Sequence, residues 1–179
     1  MNGALPTAEE LERLPVRAVI TYATRTARRI SLGLRGIVAD DIVDNALRLA
    51  EAVSTADIIA ELEPASIILA SERVVAAYAE APNSLKSKDN FLILFSLAHV
   101  AMAAMHAILA AQYSGRARYQ MGQVALEVKK TVDLIYVLGE KAAAIAREAA
   151  RHDYDTLFRE YGEHDEVVIG EPIDCFPGE

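Results

Sequence analysis

Two histidines, His99 and His106, stand seven residues apart, a spacing that places them on one side of a helix two turns apart with Met102 between them. Zinc asks for about four ligands. A metal centre built on this pair would have to draw carboxylates from other helices, with Glu72, Glu127 and Asp133 as the residues to hand. The chain contains neither a His-Glu-x-x-His motif nor the Glu-x-x-His pairs of di-iron bundles. Histidines held by hydrogen bonds or by packing are therefore the plainer expectation, and no metal or other cofactor is expected.

Acid–base or nucleophilic work could use Glu72, Asp133, Tyr78, Tyr136 and the same histidines, but no spacing brings them to one point. The single cysteine, Cys175, excludes a disulfide within the chain and fits a reducing cytoplasm. A surface thiol explains it without a catalytic role. No glycine-rich phosphate loop, Gly-x-Ser-x-Gly or Cys-x-x-Cys occurs. A non-enzyme is the expectation.

Charge is the more informative signal. The net charge of -8 is carried by the last stretch, where residues 153–179 hold nine acids and one arginine. Residues 13–39 hold six arginines and no acid. Five of those, Arg17, Arg25, Arg28, Arg29 and Arg35, fall opposite an apolar arc made by Val16, Val19, Ile20, Ala23, Ala27, Ile30 and Leu34. This arginine face is the candidate partner-binding surface. Its expected partner is another protein. Overall acidity opposes indiscriminate nucleic-acid binding, and pairing with the chain's own acids is the plainer alternative.

These residues must be carried by helices. Thr7 and Glu10 have the spacing of a capping box, Pro15 restarts the chain as a helix, and Gly33 and Gly36 end it. Further helices are expected from Asp40 or Asp41 through Val53, at 56–62, at 65–80 and at 88–113, with a loop at 81–90. The longest is expected from Arg116 to Tyr161, marked by Val124, Val128, Ile135, Leu138, Ala142, Ile145 and Ala149, with Gly139 as a point of bending. No period-two alternation is sustained anywhere. The fold expected is all-α, a single-domain bundle of about five main helices over residues 1–161, followed by an acidic, irregular tail at 162–179.

Residues 91–111 carry no formal charge over 21 positions, the length of a membrane span. His99, His106, Ser96, seven alanines and basic residues on both flanks favour a buried helix instead. The opening MNGALPTAEELERL lacks a basic region followed by an apolar one, so no secretory signal is expected.

Two stretches together, LPVRAVITYATRTARRI at 14–30 and AREAARHDYDTLFREYGE at 146–163, with GEPID at 170–174, resemble a group of uncharacterised bacterial helical proteins. His152 stands where that pattern has Arg. The resemblance implies an all-helical fold and carries no activity. The chain is thus expected to be a cytoplasmic, non-enzymatic interaction module, an adaptor or an immunity-like accessory protein, with homo-oligomerisation open. The alternative is a membrane-acting effector that exposes 91–111 on triggering.

Overall fold

A computed structural model describes residues 4–33, 99, 102, 106, 109 and 114–162. The helices expected at 42–53, 56–62 and 65–80, the loop at 81–90, most of 91–111 and the tail from 163 lie outside the described residues. So do Arg35, Glu72, Tyr78 and Cys175.

The described part of the protein is all-α. Four α-helices occur among the described residues: α1, Ala8–Leu11; α2, Val16–Gly33; α3, Ala117–Ile135; and α4, Glu140–Tyr161. Short 3-10 turns, Ser114–Arg116 and Tyr136–Leu138, precede and follow α3. None of the described helices is long and apolar enough to cross a membrane.

The local signals act as their chemistry dictates. Thr7 Oγ1 accepts the Glu10 amide at 3.2 Å while the Thr7 amide donates to Glu10 Oε2 at 2.9 Å, so two orphan donors at the start of α1 are satisfied reciprocally. Pro15, which has no amide hydrogen to lose, presents its carbonyl to the Val19 amide at 3.1 Å and starts α2.

The single long helix expected over 116–161 is instead two. Gly139 adopts φ 114° and ψ 161°, a backbone state essentially restricted to glycine, and the chain turns there between α3 and α4. The turn also resets the helical phase. On α3 the buried side runs through Met121, Val124, Val128, Val132 and Ile135, as the sequence stripe anticipates. On α4 it runs through Ala142, Ala146, Ala150, Asp153 and Leu157, whereas Ile145 and Ala149 of the expected stripe lie at its margin. Gly139→Ala is expected to destabilise the fold by about 1–3 kcal/mol, because a Cβ is strained at that φ; urea unfolding of the two proteins measures it.

Helices α2 and α4 run antiparallel. Thr26 and Arg29 meet Asp153, while Gly33, further along α2, lies against Ile145, further back on α4. A Cβ at Gly33 would overlap Ile145 Cγ2, so the glycine permits this closeness. Helix α1 sits across the start of α3 and the end of α4: Glu12 pairs with Arg118 at 3.6 Å, and Glu10 with Arg151 at 2.8 Å. The start of α3 and the end of α4 are therefore on the same side.

Among the described residues the core is aliphatic and small-residued, with Leu11, Leu14, Ile20, Ile30, Met121, Ile135 and Leu157 fully covered and Tyr22 the largest side chain inside. Every residue from Leu14 to Thr24 is buried, including Arg17, Thr21 and Thr24. The threonines tolerate this because each hydroxyl donates one turn back, Thr21 to the Arg17 carbonyl at 2.9 Å and Thr24 to the Ile20 carbonyl at 3.0 Å.

Candidate functional site

The two histidines are helical residues, and with Met102 and Leu109 they form a stripe at spacings of three and four. His99 Nδ1 meets Glu127 Oε2 at 2.5 Å, and His106 Nδ1 meets Gln120 Oε1 at 2.7 Å. The partners descend along α3 as the histidines ascend, seven residues apart on each element, so this stripe lies antiparallel to α3. Each acceptor is an oxygen without a proton to give, which puts the hydrogen on Nδ1 of both rings.

Glu127 is buried and bonded twice, since Lys130 Nζ also donates to its Oε1 at 2.7 Å. Burial pushes its carboxyl up, but the hydrogen bonds and charges of Lys130 and His99 outweigh it and hold the group below the usual glutamate range. The carboxylate and the histidine thus stabilise one another. They do not make a metal site with His106, which is engaged two turns away by a different residue. Among the described residues no group of three or more His, Cys, Asp or Glu is placed to hold a metal. Asp133, the other carboxylate singled out on α3, faces solvent and pairs with Lys129 at 2.5 Å. Tyr136 is exposed beyond the end of the same helix.

A second buried carboxylate was not anticipated. Asp153, only 1% exposed, accepts Arg29 Nε on Oδ1 at 2.6 Å and Thr26 Oγ1 on Oδ2 at 3.4 Å. The Thr26 hydroxyl also reaches the phenol of Tyr22, so a polar chain runs Tyr22, Thr26, Asp153, Arg29 from the interior to the surface. Burial pushes the Asp153 carboxyl up to about 6, against the opposing pull of Arg29, His152 and Arg25. Burial and the Asp153 charge likewise raise the Tyr22 phenol well above its ordinary range. The sequence did hold a clue: Asp153 continues the spacing of Ala142, Ala146 and Ala150 and precedes Leu157 by one turn.

The arginine face is divided by this arrangement. Arg17 is 8% exposed and lies inside. Arg29 is half exposed but tied to Asp153. Arg25 and Arg28 are half-buried, and both have interactions within the chain. Arg35 lies outside the described residues. The intramolecular use of these cations, weighed against a partner in the sequence, accounts for Arg29 directly.

What remains uncovered is a different surface. The outer side of α3 and the 3-10 turn beyond it present Tyr119, Leu126, Tyr136 and Val137 at 63%, 41%, 58% and 64% exposure. Tyr119 and Leu126 are seven residues apart, and Lys129 and Asp133 continue the same side as an ion pair. Large apolar side chains are common on surfaces singly; here α3 exposes two and the turn that follows it two more. Comparison with protein-family models, with curated proteins and with solved structures gives no match.

Proposed function

We propose that the chain is a protein-interaction module, an adaptor or immunity-like accessory protein with no catalysis of its own, built on a single bundle of about five main helices. The observation that carries this reading is the exposed set Tyr119 and Leu126 on the outside of α3 and Tyr136 and Val137 on the 3-10 turn beyond it. Tyrosine gives large contact area with few rotors to freeze and is enriched where binding energy concentrates. Arg25 and Arg28 form a secondary, electrostatic contribution that steers encounter more than it holds the complex. The partner surface that fits is a second protein's apolar face rimmed by charges complementary to Lys129 and Asp133. A reducing cytoplasm suits the lone cysteine.

The test is comparative capture from the native host. Tyr119→Ser combined with Val137→Ser is expected to leave thermal unfolding within a few degrees of the parent, since both residues are exposed, and to weaken capture of a specific partner by about tenfold or more. Reversal of Arg25 and Arg28 to Glu is expected to act mainly on association rate and salt dependence. Equal capture by parent and stripe variant would remove the basis of the proposal.

A further inference from the structure

At the junction of α1 with the end of α4 lies an open cleft of about 610 Å³, within the size range of small-ligand sites. Three arginines line it, Arg13, Arg151 and Arg159, together with the carboxylates Glu10 and Asp155. Both acids are already taken: Arg151 bonds Glu10 at 2.8 Å and Asp155 at 2.9 Å. Arg13 and Arg159 have no carboxylate partner among the described residues. In a chain with a net charge of -8, this cleft has an excess of positive charge.

The Arg13 guanidinium is also held in place. Its central carbon lies 4.5 Å from the centroid of the Phe158 ring, which stacks in turn on Tyr154 at 5.6 Å with the planes 20° apart. Tyr154 is buried, and its hydroxyl donates to the Glu10 carbonyl at 3.3 Å. The stack is therefore anchored in the core at one end and closed by the cation at the other. A guanidinium lying on a ring has its face covered and its edge of N–H donors open, the geometry that meets an oxyanion in bidentate fashion. The ring contact removes part of the side-chain freedom that exposed Arg13 would otherwise lose on binding.

We infer that this cleft binds a small phosphorylated compound, with the phosphate dianion held between the edge of the Arg13 guanidinium and Arg159. Two guanidiniums with no acid partner among the described residues match a double negative charge better than the single charge of a carboxylate. This site is separate from the outer side of α3, and its test does not depend on the function proposed there.

Isothermal titration of the full chain with phenyl phosphate, inorganic phosphate and benzoate tests the assignment. Phenyl phosphate is expected to bind saturably with one site per chain, inorganic phosphate more weakly at the same site, and benzoate at least tenfold more weakly than phenyl phosphate. Arg13→Ala and Arg159→Ala are each expected to weaken phenyl phosphate about tenfold or more. Phe158→Leu, which keeps all three cations but removes the platform, is expected to weaken it severalfold. Should Arg13→Ala fail to fold, Arg13→Lys keeps the charge without the fork and is expected to fall between the parent and Arg159→Ala. No saturation by about 10 mM, binding unaffected by both arginine substitutions, or benzoate as tight as phenyl phosphate would each overturn it.

Discussion

Asp153→Asn is expected to stabilise the protein relative to the parent by an amount that grows by about 2–3 kcal/mol between pH 4 and pH 7. The sign follows from the burial of the carboxyl. Its folded-state value, about 6, lies above the ordinary 3.8, so the folded state holds the proton more tightly than the unfolded chain. The stability this group contributes is fully present below pH 3.8 and is lost as pH rises through 6. Asparagine keeps the shape: its Oδ1 can still accept from Arg29 Nε, while its Nδ2, standing where Oδ2 was, donates to the Thr26 hydroxyl instead, and it never has to carry a charge inside. Glu127, held below the ordinary glutamate range, works in the opposite direction: its contribution is present above pH 4.5 and is lost as pH falls. Subtracting the two denaturation curves at each pH isolates Asp153, because Glu127 is common to both proteins. A difference that stays flat from pH 4 to 7 would contradict the assignment.

Tyr22→Ala is expected to cost about 3–5 kcal/mol, the largest effect of any single truncation considered. Tyr22 is the bulkiest fully buried side chain among the described residues, on the face of α2 that also carries Thr26, and truncation to Ala would open a cavity that packed helices close only in part. For a domain of this length such a loss lowers the midpoint of thermal unfolding by roughly 6–20 °C. Tyr22→Phe separates packing from polarity. It keeps the ring and removes only the hydroxyl that shares Thr26 with Asp153, so it is expected to cost about 1 kcal/mol. A phenylalanine variant as damaged as the alanine one would show that the polar chain, not the volume, is what the site needs.

The contrast between these residues explains how much could be read in advance. Local signals were legible because their chemistry is complete within a few residues: Thr7 with Glu10, Pro15 at a helix start, the apolar period of Val124, Val128 and Ile135. Long-range pairing was not. Arg29 and Asp153 are 124 residues apart, and either one alone looks like a solvated charge. Asp155 shows how little separates the two outcomes: two positions further on, it turns to the surface and pairs with Arg151. Helical phase decides between them, and the phase of α4 is fixed by Gly139, where the backbone resets it. The expected stripe ran through Gly139 unbroken and so assigned Ile145 and Ala149 to the face that Ala146 and Ala150 occupy. Glu127, one turn from Val124 and Thr131 on the buried side of α3, was legible as a carboxylate to hand for the histidines, and His99 does meet it, without a metal. The outer stripe was missed for a simpler reason. Tyr119, Leu126 and Val137 fall off the apolar period that marks the buried side and so pass as single surface residues, while Tyr136 drew attention only for acid–base work.

That stripe is where the functional account is most exposed to test. A photoreactive amino acid placed at 119, 126 or 137 in the full chain, and at the exposed α4 positions 141 and 148 as controls, reports what touches each side in the native host. A discrete cross-linked adduct of the same partner is expected from 119, 126 and 137 and none from 141 or 148. Adducts confined to the control positions, or none from any position, would contradict it.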